Sequence, residues 1–184
     1  LRFSGRRDEA YARVESELAK GHQGYVVFPL IEESEHTVLR AAAPEFERLQ
    51  RDVFPDRRLG LLHGQLSSDE KEWVMRGFRD RELDLLVSTS VVEVGIDVPN
   101  ATVIVIEHAE RFGLSQLHQL RGRVGRGSAP SICILVAEGG QDAQDRLRVL
   151  RDTNDGFEIA RADLRIRGQG DLFGAQQHGR DPLL

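Results

Sequence analysis

The 184-residue sequence predicts an α/β fold, a parallel sheet with helices on both faces. Three observations predict it. Short, continuous apolar runs recur at 24–31, 58–63, 83–88, 102–106 and 131–136, the pattern of strands buried on both faces. Stretches with helical periodicity fill the intervals between several of these runs. Strands that alternate with helices in this way form parallel sheets, because each crossover helix returns the chain to the same edge. Hydrophobic residues make up 40% of the chain and charged residues 30%, a globular composition. The length fits one domain, with room for a small appendage.

Each element has its own signal. Gly24-Tyr25-Val26-Val27-Phe28-Pro29-Leu30-Ile31 is an apolar run after a glycine and reads as the first strand. Residues 37–53 read as a helix with Leu39, Ala42, Phe46 and Leu49 on one face, kinked or divided at Pro44. Arg58 to His63 is the second strand. Ser67-Ser68-Asp69-Glu70 has capping-box spacing, and the helix it opens runs to about Asp80, burying Val74, Met75 and Phe78. Strands follow at 83–88 and 102–106, then a helix from about Ser115 to Gly122, then a strand at 131–136. In such sheets ligands bind at the carboxyl ends of the strands, so the loops at 63–66, 88–99 and 107–113 are the expected working edge.

Past residue 140 the pattern changes. Residues 141–153 read as a helix ended by Thr153-Asn154-Asp155-Gly156. Phe157 to about Arg165 reads as a second, short helix. Residues 166–184 are rich in Gly and Gln and read as an extended loop. The expected organisation is a lobe over 1–140 and a helical hairpin with a loop over 141–184.

Charge and cysteine content narrow the classes. Net charge is −5, but residues 1–110 hold 14 basic and 21 acidic side chains, whereas 111–184 hold 11 and 9. Basic groups gather where a phosphate-facing surface would need them, although chance alone could give this asymmetry. Arg outnumbers Lys by 23 to 2, which suits bidentate phosphate contacts but also follows from genomic base composition. Cys133 is the only cysteine, so no internal disulfide forms and a reducing cytoplasm is the expected setting. No apolar run of about 18 residues occurs, so no spanning helix is expected. The N-terminus lacks both an initiator Met and an apolar signal region, and the chain is expected to be cut from a longer protein.

Three stretches carry chemistry. Gln119-Leu120-Arg121-Gly122-Arg123-Val124-Gly125-Arg126-Gly127 places three arginines within six residues, interleaved with glycines. Glycines leave guanidinium groups free to reach an anion, and arginines so placed suit the charge on a transferring phosphoryl group. A solvated basic loop is the competing reading. Val87 to Pro99 ends a strand in Ser88-Thr89-Ser90 and then carries Gly95 and Asp97. Hydroxyls at a strand end can hold backbone phosphates, and an Asp can accept from a ribose hydroxyl; ordinary loop capping by the same residues stays open. Leu62-His63-Gly64-Gln65 closes the second strand, with His63 readable as a structural histidine.

These stretches resemble a known superfamily. The QxxGRxGR pattern is similar to motif VI of superfamily 2 helicases and translocases, whose second lobe is RecA-like. That resemblance implies Arg123 and Arg126 as fingers toward the γ-phosphate, with Gln119 helping to join the lobes. The 87–99 stretch resembles motif V, implying Thr89 on the nucleic-acid backbone and Gly95 and Asp97 near the nucleotide. His63 and Gly64 match positions along the nucleic-acid track, and Phe28 to Ser34 lie where motif IV belongs. Asp155 to Ala160, Asp163 to Gly174 and Gln176 to Gly179 resemble the translocation motif of the RecG family and of the transcription-repair coupling factor Mfd. That motif implies coupling roles for Arg146, Arg167 and Gln177. Glu107 to His118 and Leu150 to Phe157 resemble RecG more than Mfd.

No G-x-x-x-x-G-K-[ST] loop and no Asp-Glu magnesium-binding motif of the Walker B kind is present in the sequence. The resemblance implies that ATP and Mg²⁺ are held mainly by a first motor lobe elsewhere, that a branch-binding wedge domain accompanies it, and that the partner is duplex and branched DNA (forks, Holliday junctions). The fragment alone is expected to hydrolyse no ATP. The rival readings are an Mfd-type motor and a degenerate, non-catalytic binding lobe.

Overall fold

The computed structural model describes residues 2–4, 7–29, 43–89 and 98–175. Six parallel strands lie in the order β1-β6-β5-β2-β4-β3: β1 (Arg2–Ser4), β2 (Gln23–Phe28), β3 (Leu59–Leu62), β4 (Leu85–Thr89), β5 (Ala101–Ile106) and β6 (Ile132–Val136). The helices are α1 (Arg7–Leu18), α2 (residues 43–48), α3 (Ser68–Arg79), α4 (Leu114–Arg121), α5 (Gln141–Asp152) and α6 (Gly156–Ala175). The fold is the predicted one.

Period-two side-chain alternation divides the core into two layers. Val26 and Phe28 of β2, Val103 and Val105 of β5, and Ile134 and Val136 of β6 face α1 and the 43–53 segment, meeting Tyr11, Val14, Leu18, Leu49 and Phe54. Val27, Ile104, Ile106, Cys133 and Leu135 point the other way. They meet Val74, Met75 and Phe78 of α3, Leu114, Leu117 and Leu120 of α4, and Leu147, Leu150 and Ile159 of the α5–α6 hairpin. The hairpin is therefore part of the same core as the sheet. Burial pushes the Cys133 thiol up to about 12.

The structure corrects the sequence reading in four places. Edge strand β1 and helix α1 were not anticipated. The 37–53 helix is described only from residue 43; it passes into a π-helical turn at Leu49–Val53, while Leu39 and Ala42 lie outside the described residues. The final helix runs on to Ala175, ten residues past its expected end, because glycines weaken a helix without forbidding it. The first predicted strand ends at Phe28, with Leu30 and Ile31 outside the described residues, and the other strand ends shift by one or two residues. The capping box is as read: Ser67 Oγ accepts from Glu70 N–H at 3.3 Å, and Ser67 N–H donates to the Glu70 carboxylate at 2.8 Å.

Glu17 fastens α1 to the start of β5. It is buried, accepting from Lys20 Nζ at 2.7 Å and Thr102 Oγ1 at 3.2 Å, with His22 Nδ1 at 3.0 Å. The Lys20 bond foremost, and those to His22 and Thr102, outweigh burial and hold its carboxyl down at about 2. A carboxylate with a depressed folded pKa contributes stability that is present above its ordinary range and lost as pH falls through the folded value. Glu17→Gln is accordingly expected to lower the urea midpoint at pH 7, read by far-UV circular dichroism. The gap to the parent chain should close between pH 4.5 and pH 2; a constant gap across that window would contradict the assignment.

Candidate nucleotide and nucleic-acid interface

Parallel pairing aligns all carboxyl ends of the strands on one edge. Leu62 of β3 stands opposite Ser88 of β4, and Phe28 of β2 opposite Thr89, so His63 and Thr89 are neighbours at the carboxyl edge. Both are buried, at 9% and 5% relative exposure. Among the described residues, neither His63 Nδ1 nor Thr89 Oγ1 has a hydrogen-bond partner. A buried polar atom left unpaired costs about 1–3 kcal/mol, and such atoms in native folds call for a missing partner. Burial lowers the His63 pKa, as does the charge of Lys71, against an opposing pull from Glu70. Beside it, Gly64 is exposed with open space where a side chain would stand, and its carbonyl accepts from Lys71 Nζ at 3.0 Å.

The third loop of this edge, 107–113, is gripped from two sides. Glu107 is fully buried. It accepts from Tyr11 Oη at 2.5 Å and from Arg7 Nε at 3.1 Å. Burial foremost, and the Glu107 carboxylate beside it, push the Tyr11 phenol well above its usual range, so it stays protonated and donating. Arg7 Nη2 also lies 2.9 Å from His108 Nε2. His108 itself is left-handed at φ 49, ψ 48, a conformation of the kind that costs about 1–3 kcal/mol and persists when its surroundings over-determine it. From the other side, Arg146 of α5 donates to the carbonyls of Glu110 at 2.6 Å and Phe112 at 2.9 Å.

The arginine loop lies at the opposite edge. Helix α4 starts after the 107–113 loop and runs back along the sheet, so residues 122–127 sit near the amino ends of β5 and β6. Two glycines fix this placement. Gly125 has φ +82, and a Cβ there would stand 2.5 Å from Ser131 Oγ. A Cβ on Gly127 would stand 2.4 Å from the Pro99 carbonyl oxygen. The arginine loop therefore rests on the segment that follows Asp97. Val124 is buried as its anchor, Arg126 is exposed and Arg123 half-buried. Arg126 Nε donates to the Gly122 carbonyl at 2.9 Å. Gln119 is exposed on α4.

The structure thus brings His63, Gly64 and Thr89 together on one edge and Arg123 and Arg126 on the other, joined by α4. Arg146 is in place on the hairpin. The backbone of Arg167 lies in α6; its side chain, with Gly95, Asp97 and Gln177, lies outside the described residues. Sequence reasoning grouped Arg121 with the other arginines, but Arg121 turns inward, to the carbonyls of Leu150 and Thr153. The signal was its place: Arg121 is the last helical residue, whereas Arg123 and Arg126 follow the glycine. It also missed Asp163, whose carboxylate accepts from Leu114 N–H at 3.3 Å. The signal there was a charged residue four places after Ile159, on the buried side of its helix.

The sequence similarities agree with this geometry. Residues 9–128 match the family model described as helicase conserved C-terminal domain. Residues 153–181 match that described as ATP-dependent DNA helicase RecG, domain 3, C-terminal. The ATP-dependent DNA helicase RecG of Synechocystis sp. is 53% identical over 174 residues, covering 94% of this chain and 21% of that protein. RecG of Thermotoga maritima is 51% identical, covering 95% and 22%. The chain spans about a fifth to a quarter of these relatives. A solved structure of RecG bound to a three-way DNA junction superposes with TM-score 0.76 at 46% identity, covering all of this chain and 23% of that one. A single-substitution form of S. cerevisiae Dbp5 bound to RNA and ADP BeF3 shares the fold at TM-score 0.58 and 17% identity, covering 84% of this chain and 38% of that one. The chain belongs to the helicase conserved C-terminal domain family, in its RecG branch.

Thr89→Val keeps the shape of the side chain and removes the unpartnered hydroxyl. It is expected to raise the chain's unfolding free energy by about 1 kcal/mol, read from urea denaturation. A loss of that size would mean that the hydroxyl is already satisfied.

Proposed function

We propose that this chain is the second motor lobe of an ATP-dependent double-stranded-DNA translocase that remodels stalled replication forks and Holliday junctions in recombination and repair. Residues 1–140 form the RecA-like lobe and 141–184 the hairpin and loop that couple it to duplex DNA. The observation that carries this reading is the pair of buried, unpartnered atoms at His63 and Thr89 beside the open Gly64 backbone. A DNA backbone phosphate along that edge would bring oxygens for the Thr89 hydroxyl to donate to, and His63 could add a second bond from an Nδ1–H without being charged. The similarity to RecG, solved in complex with a three-way DNA junction, supports branched DNA as the partner class.

The mechanism follows from the two edges. Arg123 and Arg126 project from a loop fixed by Gly125 and Gly127, suited to an anion that arrives from across a cleft. ATP, held with Mg²⁺ mainly by a first motor lobe, supplies the phosphoryl group whose developing charge these guanidinium groups would stabilise, a contribution of about 10³–10⁵ in rate in comparable systems. Gln119, on the exposed side of α4, faces the mate lobe, and Gly95 and Asp97 approach the nucleotide. Drawing in the arginine loop carries the whole lobe, and with it Thr89, along the DNA backbone. Arg146, Arg167 and Gln177 relay the stroke. A wedge domain of the same polypeptide holds the branch, and the setting is cytoplasmic.

In the full-length protein, Arg126→Ala is expected to abolish DNA-stimulated ATP turnover while ATP still binds, measured by phosphate release and by fluorescent-nucleotide titration. Wild-type turnover in that variant would overturn the motor reading and favour a non-catalytic lobe. Gln177→Ala is expected to keep most of the ATPase but lose fork unwinding in a gel assay; normal unwinding would remove the tail from the mechanism.

A further inference from the structure

Helix α4 carries the arginine loop, and both of its ends are closed by groups of the α5–α6 hairpin. At its start, the buried Asp163 of α6 accepts from the Leu114 N–H at 3.3 Å, one of the donors a helix leaves without an internal partner. At its end, Arg121 Nη1 donates to the Leu150 carbonyl at 2.6 Å and the Thr153 carbonyl at 3.0 Å. Both carbonyls belong to the C-terminal turn of α5, where a cation is also favoured by the helix dipole. Arg121 Nη2 meets His118 Nδ1 at 2.8 Å. A Cβ on Gly156, the first residue of α6, would stand 3.0 Å from His118 Nε2, so the His118 ring is itself seated against the hairpin.

The donors of Arg121 are committed to this joint rather than to an incoming phosphate. Between the arginine loop, Ser131 and Asn154 lies an open recess of about 600 Å³. Along that line the loop does not lean on the turn at 153–155, and Arg121 makes the bridge.

We propose that Arg121 is a positioning residue which, with Asp163 at the opposite end, locks α4 to the hairpin so that the two move as one body. This assignment rests on the motor reading above and gives Arg121 a role separate from that of Arg123 and Arg126. Loss of the lock leaves the nucleotide-directed arginines on their own loop and slackens the transmission to the hairpin. Coupling is lost while catalysis is largely kept.

The test uses the full-length protein, with ATP turnover and fork unwinding measured side by side. Arg121→Ala is expected to leave KM for ATP and DNA-stimulated kcat within about threefold of wild type, while unwinding per ATP hydrolysed falls by about tenfold or more, the size of an ordinary coupling between sites. Arg121→Lys, which can reach one carbonyl but not both in the same geometry, is expected to fall between. Asp163→Ala should give the same split from the other end and serves as the readout if Arg121→Ala does not fold. ATPase loss in Arg121→Ala as deep as in Arg126→Ala would overturn the proposal by making Arg121 nucleotide-directed. Wild-type coupling in both Arg121→Ala and Asp163→Ala would overturn it by removing the lock. Failure of the motor reading itself would look different: wild-type protein would show no DNA-stimulated turnover, or Arg126→Ala would be fully active.

Discussion

An all-parallel sheet has to bury both faces, and that constraint governs the rest of this molecule. Each apolar strand gives alternate side chains to two layers, so neither face is left for chemistry. Function is confined to the two edges where strands end. The carboxyl edge gathers His63, Gly64, Thr89 and the 107–113 loop; the amino edge gathers the arginine loop against Pro99. A ligand at either edge meets backbone whose position is set by the register of the sheet, which is a rigid support for groups that must be placed closely.

Rigidity at the carboxyl edge is reinforced by a buried ionic cluster. Glu107 would be costly to bury alone, but Arg7, Tyr11 and their neighbours satisfy it. Arg48 adds a bond to Tyr11 at 3.3 Å. The cluster reaches from α1 through β5 to the turn before α4, and Arg146 completes it from α5. The same few residues therefore connect the first helix, the central sheet and the hairpin. This explains how a chain with a strongly acidic first part can still order its basic part: several arginines of the second part are spent on carbonyls within the fold.

Much of the fold was legible because buried strands and amphipathic helices leave strong periodic signals. Strands β2 to β6, the Ser67 capping box and the core positions Val74, Met75 and Phe78 follow from pattern alone. Edge strand β1 was illegible because three residues with one apolar side chain carry no period. Helix α1 hid because its buried face includes Tyr11 and Glu17, polar side chains that an apolar periodicity does not register. Within the site, the glycine-flanked arginines could be read, since glycine frequency and spacing report on loop access. The inward turn of Arg121 and the capping role of Asp163 left only positional signals, since the partner of each lies more than two dozen places away. The split of the site between two edges was also hidden: the rule that ligands gather at strand carboxyl ends says nothing of a loop at the other end of a crossover helix.

The lone thiol has a practical consequence. Cys133 sits in the core on β6 with its pKa at about 12, and thiolate, not thiol, is the reactive form. Maleimide reagents should pass it by under native conditions. Reporter dyes can then be attached at single cysteines introduced on the surface of the arginine loop and of the hairpin, and the separation of those dyes followed in this chain without first replacing Cys133.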